Sequence, residues 1–386
     1  MDCELKPRRR TSRNEVISFR FGIEEEFFIC DSETLQPAMS TPDALFERGQ
    51  SCAGSGINRE MLQAQIEVAT RPHGSVRDAR DELFELRHIA AEAAKRHGFA
   101  ILAAGTHPTA DWTDAVRSPK RRYDELMQEL QMVGQRNVLC GMHVHVEIDD
   151  SDRRIDIMKR MIPFVPLLLA LSTSSPFWRS RCTGLKGYRL AAYDELPRTG
   201  MPELFHSKRE YQAYVAALVR SGAIPNAGHL WWALRPSHKY PTLELRATDC
   251  CTLLEDAIAI AALYRCLVRY LHRRPSVNAA LGPVGRGIAV ENKWLAQRYG
   301  VAAAFVSPEG AISVSEMLDD VLAKVREDID VLGCRDEMHH CGEIIGGGSS
   351  ADRQLRVFGQ TSQTPTPTSG PLDAVLRWIA DNTVPA

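Results

Sequence analysis

The chain has no large excess of charge of either sign. Its 386 residues include 47 Lys and Arg against 49 Asp and Glu, which leaves a formal net charge of -2. Binding to nucleic acid needs a basic excess that offsets the phosphate backbone, so we expect no nucleic-acid partner. A basic cluster near the start, LKPRRRTSR, has no apolar stretch behind it. We therefore expect residues 1–16 to form a disordered tail and not a secretion signal.

The chain also contains no uninterrupted apolar run long enough to span a membrane. Its longest apolar stretch, residues 155–177, is broken by Lys159, Arg160, Pro163 and Pro166, so we predict a buried helix there and no membrane partner. The ten cysteines form no CxxC pair and have no regular spacing, which is typical of thiols kept reduced in the cytosol. These absences favour a cytoplasmic enzyme with one large or two medium domains.

Four short segments alternate apolar and polar residues with period two, which is typical of strands with one buried face. Their polar positions carry mainly carboxylates and imidazoles: Glu24 and Glu26, Gln65 and Glu67, His143, His145 and Glu147, and Glu244 and Arg246. Half-exposed strands of this kind are usually antiparallel or mixed. We therefore predict an α+β fold with an open, largely antiparallel sheet, whose polar concave face bears the active site and whose other face carries packed helices.

An ordinary solvated face is the alternative explanation for any one of these strands. Solvated faces favour Lys, Thr and Ser with mixed charge, whereas carboxylate and imidazole dominate here. Neighbouring carboxylates repel one another unless a positive group lies between them. The pattern therefore predicts a divalent metal ion at the polar face.

Helical periodicity predicts helices in three of the segments between and after the strands. Candidate caps are Ser75 for residues 75–98 and Thr252 for residues 252–274, and a third helix is predicted over residues 313–333. No internal repeat and no clear domain break is visible. We expect residues 17–360 to form a single catalytic domain, and residues 361–386 to form a linker and a C-terminal helix.

Several motifs, in their order along the chain, resemble one enzyme family. GIEEEF, EMLQAQIEVAT, GMHVHVEI, SSPFWRSRCTG with GYR, LWWALRP, LELRATD and ENKWLAQRYG are similar to segments of the carboxylate–amine ligases related to glutamate–cysteine ligase, in its type 2 branch. This branch is a relative of glutamine synthetase. The resemblance runs from about residue 17 to about residue 357, and ordered motifs are far more specific than any single one.

The resemblance implies an ATP-dependent ligase with a glutamine synthetase-like catalytic fold. Such an enzyme activates a carboxylate, for instance a γ-carboxylate, as an acyl phosphate with Mg-ATP and then forms an amide with an amino acid amine. Phosphoryl transfer needs alignment and neutralised charge more than a covalent protein nucleophile. The chain has no GxxxxGK phosphate loop, so metal and arginine would hold the phosphates. The implied partners are ATP and amino acids, with Mn²⁺ as an alternative to Mg²⁺ and a homodimer as an open option.

Carried over residue by residue, the resemblance implies two or three metal sites. Glu24, His143 and Glu244 would hold one metal ion, and Glu26 with Glu67 would hold another. Glu60 precedes Glu67 in the matching segment, but strand parity puts it on the opposite face unless a bulge or turn intervenes. We therefore rank Glu60 lower and keep it as a substrate-binding candidate.

Two arginines are the catalytic candidates. Arg246, two residues after Glu244, would contact the nucleotide and offset charge on the transferred phosphoryl group, a task that suits its fixed fork of donors. Arg235 would hold either phosphate or the substrate carboxylate, and an ordinary surface salt bridge is the competing interpretation. The sequence leaves open which arginine binds which group.

Weaker candidates lie in three other places. His145 would bind substrate or support the metal shell. Residues of the CTGLKGYR segment would contact the amino acid: Thr183, Tyr188 and Arg189. Residues after IIGGGSS would close over the nucleotide, with a plain surface loop as the stronger interpretation: Asp352, Arg353 and Gln354. A zinc site is the remaining hypothesis for a cluster whose spacing matches no usual zinc-finger pattern: Cys334, His339, His340 and Cys341.

Two alternatives come from other functional classes. A zinc-dependent hydrolase would use His143 and His145 as paired ligands, with Glu147 or Glu67 as the base. It leaves Glu24 without a task and has no clear third zinc ligand. A non-catalytic metal-binding scaffold is the other alternative, and nucleotide binding would distinguish it from a ligase.

Overall fold

The computed structural model describes residues 19–53, 56–119, 121–363 and 370–385. The basic tail expected over residues 1–16 lies outside this part of the chain, as do residues 364–369 of the expected linker. Among the helices of the described residues, none combines the length and the apolar character needed to cross a bilayer.

Eleven strands are present in the described residues, and seven of them form one sheet. They are β1 (Phe21–Asp31), β2 (Ile57–Arg59), β3 (Gln65–Ala69), β4 (Phe99–Leu102), β5 (Met142–Glu147), β6 (Phe177–Trp178), β7 (Arg181–Cys182), β8 (Leu234–Pro236), β9 (Thr242–Leu245), β10 (Ala304–Ser307) and β11 (Gly310–Ser313). The main sheet has the order β2-β3-β1-β5-β9-β8, and β4 also pairs with β1. All its pairings are antiparallel. The smaller sheets are β6-β7 and β10-β11.

The helices account for most of the remaining chain. They are α1 (Asp43–Ala53), α2 (Val76–Lys95), α3 (Arg121–Leu130), α4 (Met132–Gln135), α5 (Ser151–Met161), α6 (Val165–Ser172), α7 (Tyr188–Tyr193), α8 (Lys208–Arg220), α9 (Leu254–Arg273), α10 (Pro283–Tyr299), α11 (Val314–Lys324), α12 (Arg326–Leu332), α13 (Arg335–Gly347), α14 (Ser350–Ser362) and α15 (Pro371–Thr383). Short 3-10 helices lie at Trp112–Asp114, Ile162–Phe164, Ala227–His229 and Gly300–Ala302. The predicted α+β class with an antiparallel sheet is confirmed.

The apolar back of the sheet is buried because alternate strand residues point into one core. Ile23, Val68, Val144, Val146 and Leu243 have no exposed surface. Helices α2, α9 and α15 contact the sheet strands, and α9 is buried along nearly its whole length. The polar residues of the same strands are therefore left on the opposite, front face.

Glu25 is a carboxylate whose strand position points into this core. It is fully buried and accepts two hydrogen bonds from Arg87, at 2.6 and 2.8 Å. Arg87 also donates to three backbone carbonyls, those of Cys251, Thr252 and Thr383. A buried carboxylate is tolerated when it is paired and hydrogen-bonded in this way, so Glu25 is part of the core and not of the front face.

Three helix predictions differ from the structure: one helix lacks its predicted cap, and two predicted helices are each divided. Ser75 caps α2 as expected, but Thr252 does not cap α9, because its hydroxyl donates to the carbonyl of Ala103 at 2.7 Å. The third predicted helix is divided at Val325 into α11 and α12. The apolar stretch that we expected to form one helix is divided around Pro163 into α5, a 3-10 turn and α6, since proline removes a helix donor and clashes with the preceding turn.

Candidate active site

Strand register aligns the polar residues of five neighbouring strands across the front of the sheet. Glu26 of β1 lies opposite Glu67 of β3, and Glu24 lies opposite His143 of β5. On the other side His145 lies opposite Glu244 of β9, which in turn lies opposite Arg235 of β8. Side chains directly opposite on one face have Cβ atoms about 5 Å apart. Residues more than 200 positions apart in sequence therefore form one continuous polar surface.

This surface forms a wall of a cavity of about 1840 Å³. The cavity is large enough for a nucleotide together with small substrates, since ordinary ligand pockets measure roughly 300–1,000 Å³. Most of the predicted site residues line it: Glu24, Glu26, Glu60, Glu67, His143, His145, Arg189, Arg235, Glu244 and Arg246. Aromatic side chains that the sequence patterns did not single out lie on other walls: Tyr123, Tyr193, Trp231 and Tyr240.

A cluster of four carboxylates is the main electrostatic feature of the cavity. Burial raises the pKa of Glu67 well above its usual range, and the charges of Glu24, Glu60 and Glu26 raise it further. Like charges opposite each other on neighbouring strands destabilise a sheet. The cluster therefore carries repulsion that a bound cation would relieve.

Glu24 lies between the two histidines of β5. Its carboxylate oxygens are 3.4 Å from Nδ1 of His143 and 3.5 Å from Nε2 of His145. Burial alone would raise the pKa of Glu24, but the hydrogen bonds of His143 and His145 and the charge of His145 outweigh burial and hold the pKa well below its usual range. Glu24 is therefore an ionised carboxylate at neutral pH.

The two histidines differ in the hydrogen bonding of the ring nitrogen that does not face Glu24. Nδ1 of His145 is 2.9 Å from the hydroxyl of Thr242. Nε2 of His143 is buried and has no hydrogen-bond partner among the described residues. Burial, followed by the charge of Arg246, lowers the pKa of His143, which favours the neutral imidazole that can bind a metal. His143 therefore keeps a free ring nitrogen at the polar face.

Glu244 is buried between two arginines. Arg235 donates to both of its oxygens, at 2.8 and 3.0 Å, and Arg246 donates to Oε1 at 2.5 Å. Burial would raise the pKa of Glu244, but the charges of Arg246 and Arg235 outweigh it and lower the pKa strongly. Two carboxylate oxygens can accept about four hydrogen bonds. One acceptor position of Glu244 is therefore left for a cation.

The two candidate arginines differ in how many of their N–H groups already have hydrogen-bond partners. Arg235 also donates to the carbonyls of Gly228 and Leu230, at 2.9 and 2.8 Å, so four of its five N–H groups hold Glu244 and the chain before β8. Arg246 donates to the hydroxyl of Tyr193 at 3.1 Å, and its buried Nε has no hydrogen-bond partner within the described residues. The structure favours a positioning role for Arg235 and leaves Arg246 with a donor for an anion.

Glu60 lines the cavity although strand parity alone would place it on the opposite face of the sheet. It follows the last residue of β2 and lies in the turn before β3, so it does not share a strand with Glu67. Its Oε2 lies 3.4 Å from the hydroxyl of Tyr123. A turn therefore intervenes, and Glu60 joins the carboxylate cluster.

The donor set fits a divalent cation that is completed by other ligands. Over the residues that the structure describes, no group of three or more His, Cys, Asp or Glu side chains is arranged to hold a metal ion by itself. Mg²⁺ seldom uses an all-protein cage and usually binds through one or two carboxylates plus phosphates and water. The clustered carboxylates match that kind of site, and the unpaired nitrogen of His143 is a further donor beside Glu24.

Five of the residues predicted to contact the amino acid or the nucleotide do not line this cavity: Thr183, Tyr188, Asp352, Arg353 and Gln354. The hydroxyl of Thr183 lies 3.0 Å from the carbonyl oxygens of both Pro176 and Leu185, donates its one hydrogen to one of them, and so closes a local turn. The ring of Tyr188 packs against Trp178, with centroids 5.5 Å apart. These two side chains stabilise the loop around β6 and β7 and do not line the cavity.

The segment predicted to close over the nucleotide, residues 352–354, belongs to helix α14. Asp352 caps α14 and pairs with Lys186, and Gln354 donates to the carbonyl of Ser174 at 2.9 Å. Arg353 lies 3.8 Å from Asp256. The surface-loop alternative is wrong, since all three residues are in α14, whereas the contact of Arg353 with nucleotide stays a prediction.

The zinc hypothesis does not match the positions of its four residues. Cys334 lies 3.3 Å from Cys266, and the Cys341 thiol contacts the carbonyl of Ala259. His340 lies between Asp256 and Glu343, 2.8 Å from each. Pairing with Asp256 raises the pKa of His340, although burial opposes it.

His340→Gln is expected to lower stability more in acid than in base. A histidine whose folded pKa is raised contributes stability that is fully present below its unfolded pKa, about 6.5, and is lost as pH rises through the folded pKa. The expected loss is about 1 kcal/mol at pH 6 and smaller at pH 8.5, measured by urea unfolding of both proteins. An equal loss at the two pH values would mean that protonation of His340 does not contribute.

Tyr193 is a site residue that the sequence patterns missed. It lies one helical turn after Arg189 in α7, and its hydroxyl accepts from Arg246. Residues four apart on a helix share a face, so this spacing from Arg189 was the available signal. Its significance depends on Arg246 being its neighbour, which local sequence does not reveal.

Solved structures with similar folds include two ligases of glutathione metabolism. Glutamate–cysteine ligase from Francisella tularensis, solved in complex with AMP, superimposes with a TM-score of 0.69 at 14% identity, covering 96% of this chain and 90% of that one. A bifunctional glutathione synthetase from Pasteurella multocida gives 0.68 at 14% identity, covering 95% of this chain and 52% of that chain. At this identity the similarity concerns the fold alone.

Sequence comparisons are much closer. A protein of Bradyrhizobium sp. (strain ORS 278), provisionally named glutamate–cysteine ligase 2, is 53% identical over 377 residues, which covers 98% of this chain and 91% of that protein. A protein of the same provisional name from Rhodospirillum rubrum is 44% identical and covers 89% and 90%. The sequence model described as glutamate-cysteine ligase family 2 matches residues 20–376. The chain therefore belongs to glutamate–cysteine ligase family 2 and is an amide-forming ligase.

Proposed function

We propose that this ligase consumes ATP, activates a substrate carboxylate as an acyl phosphate, and couples it to an amino acid amine. One observation carries the proposal: the charges of Glu24, Glu60 and Glu26 raise the pKa of Glu67, and these four carboxylates line, together with Arg246, one cavity large enough for nucleotide and substrates. A carboxylate does not react with an amine at neutral pH unless its oxygen is made a leaving group. Phosphorylation does this, and the free electron pair of the amine then displaces phosphate.

A divalent cation, Mg²⁺ or Mn²⁺, would neutralise phosphate charge when bound. The residues that would hold it are Glu24, Glu26, Glu67, His143 and Glu244, with Glu60 beside them. Glu26 is fixed for this task, because its Oε2 accepts from the N–H of Gly141 at 2.6 Å. Glu244 keeps one acceptor position for the same purpose.

Arg246 would bind the transferred phosphoryl group. Burial lowers the pKa of this guanidinium, but Tyr193 and Glu244 raise it, and the net effect is a pKa well above its usual range. The group is therefore always charged, and it is held by two partners before any substrate arrives. A donor that is already oriented stabilises developing charge without reorganisation.

The names of the relatives support glutamate and cysteine as the first acid and amine to test. The AMP in the Francisella tularensis structure supports an adenine nucleotide as the energy source. Trp231 and Tyr240 both line the cavity and supply aromatic surfaces on which planar groups stack. His145 is close enough to these surfaces to contact substrate, since its ring centroid lies 6.0 Å from that of Tyr240.

An ADP-release screen tests the proposal. Purified protein is incubated with ATP and Mg²⁺ and with pairs of amino acids, and ADP and the amide are measured together. We expect ADP release that needs both an acid and an amine, with one amide formed for each ADP, and that stops when the metal is chelated. Stoichiometric zinc with amide hydrolysis that is indifferent to ATP would instead support the hydrolase that uses His143 and His145.

A further inference from the structure

Arg246 lies in a β-bulge just beyond the end of β9. Val144 of β5 pairs with Leu245 of β9. Two residues earlier in β5, the N–H of Met142 donates to the carbonyl of Thr248 at 3.0 Å. One strand has advanced by two residues and the other by three, so one extra residue is inserted between these pairs. The shifted register continues beyond them, since Gly141 bridges to Asp249.

The segment just before β8, which pairs with the other side of β9, shows the same insertion. The N–H groups of Arg246 and Ala247 both donate to the single carbonyl of Ala233, at 2.8 and 3.1 Å. A bulge places two residues opposite one, bends its strand and changes the direction of a side chain. It also interrupts the ladder, so backbone groups near Arg246 need other partners.

Arg189 supplies those partners. Its side chain is 2% exposed, and its Nη1 donates to the carbonyls of Arg246 and Thr248, at 3.2 and 3.1 Å. Its own N–H donates to the hydroxyl of Ser175 at 2.9 Å, which fixes the start of α7. The guanidinium therefore spans the bulge and holds its backbone.

The same guanidinium lies against Gly141. A Cβ atom at Gly141 would be only 2.0 Å from Nη2 of Arg189, so a side chain at this position and the arginine exclude each other. The N–H of Gly141 donates to the carboxylate of Glu26, and its carbonyl accepts from the N–H of Glu26 at 3.0 Å. Arg189 thus contacts the group that fixes Glu26 as well as the bulge that carries Arg246.

We propose that Arg189 is a positioning residue that sets the separation between Glu26 and Arg246. The two functional side chains lie on different elements, β1 and the chain after β9, with β5 between them. Arg189 donates to the backbone carbonyl of Arg246 and packs against Gly141, whose N–H donates to Glu26. This role replaces the substrate contact expected from the sequence, and its catalytic consequence rests on the proposed function.

Hydrogen exchange measures the structural half of this inference without any activity assay. In Arg189→Lys, a single ammonium cannot span two carbonyls and fill the space over Gly141. We expect the amides of residues 246–250 to exchange at least about tenfold faster, since the closed state of this segment loses the two hydrogen bonds that Arg189 donates to its carbonyls, while residues 155–161 of α5 keep their rates. Unchanged exchange at residues 246–250 would overturn the proposal.

Kinetics measure the catalytic half. We expect Arg189→Lys to lower kcat by about 10²-fold with the KM for ATP and for both amino acids changed less than about threefold, because a misplacement of about 1 Å has an effect of that size. A raised KM for one amino acid with kcat intact would assign Arg189 to substrate binding and overturn the proposal. Faster exchange with normal kcat would also overturn it.

Gly141→Ala provides a second variant that keeps the arginine. Its Cβ would displace the guanidinium, so we expect a similar loss of kcat, and the double variant should lose less than the product of the two single effects. Normal kcat in Gly141→Ala would contradict the proposal even if Arg189→Lys fails to fold.

Arg160→Lys is the matched control. Arg160 is also fully buried and also donates to two carbonyls, those of Arg274 and Val277, but it belongs to α5 and does not line the cavity. We expect faster exchange at residues 274–278 and unchanged kcat. If the unaltered protein releases no ADP with any substrate pair, the proposed function fails, and hydrogen exchange still decides whether Arg189 holds the bulge.

Discussion

Glu67→Gln is expected to abolish ADP release and, at the same time, to make the metal-free protein more stable. The substitution keeps the shape of the side chain and removes one of four carboxylates that repel one another, including Glu26 directly opposite on the neighbouring strand. It also removes a ligand for the cation that the phosphates need. We expect at least a 10³-fold fall in turnover, about 4 kcal/mol of transition-state stabilisation.

The stability change has a definite dependence on pH. Glu67 has a raised pKa in the folded protein, so the folded state binds its proton more tightly than the unfolded state does. The metal-free protein therefore loses stability from this group as pH rises above the unfolded pKa of about 4.3. The advantage of Glu67→Gln should be near zero at pH 4 and grow toward pH 8, by about 1.4 kcal/mol for each unit of raised pKa.

Thermal unfolding with and without Mg²⁺ and nucleotide measures both effects. The unaltered protein should gain stability from the ligands, and Glu67→Gln should gain much less. Glu47→Gln is the matched control, because Glu47 is exposed on α1 and does not line the cavity. Normal turnover in Glu67→Gln, or a loss of stability without metal, would contradict the assignment of Glu67 to a metal site.

Arg246→Lys is expected to lower kcat by about 10²- to 10³-fold, the usual effect of removing one oriented donor from a transition-state site. Lysine keeps the charge but has no fork, so it cannot hold Glu244 and Tyr193 and also donate to a phosphoryl oxygen. The KM for ATP should change less than about threefold, because the lost interaction develops in the transition state. Steady-state ADP release at several ATP concentrations separates the two constants.

Arg220→Lys controls for the general effect of this exchange. Arg220 is exposed in the last turn of α8 and does not line the cavity, so we expect kinetics equal to those of the unaltered protein. If Arg246→Lys raises the KM for ATP and leaves kcat intact, Arg246 binds the ground state only, and its proposed role in phosphoryl transfer is wrong.

Much of the candidate site could be predicted from local sequence. Period-two alternation assigned Glu24, Glu26, Glu67, His143 and Glu244 to the polar sides of their strands, and the structure has all of them on one cavity wall. This works because successive strand side chains point to opposite faces whatever the strand pairs with. The excess of carboxylates over lysines then indicated a cation, and the ordered motifs indicated the family.

Loop and helix residues were predicted less well. Thr183, Tyr188 and Arg353 were selected by motif, yet their side chains contact other parts of the loop and helical layer. A motif identifies a segment and not the direction of each of its side chains. Glu60 shows the reverse case, because a turn between two strands reset the parity that would have excluded it.

By itself the sequence determined the α+β class, the buried and polar sides of the strands, and the family, since composition, spacing and motif are local properties of the chain. The tertiary structure alone decided that Glu26 lies beside Glu67, that Arg235 holds Glu244, and that Arg189 spans a bulge. Such contacts join residues from 9 to 57 positions apart, and a single inserted residue in one strand changes which groups meet. Strand order and register arise from packing the whole chain at once, so no local pattern contains them.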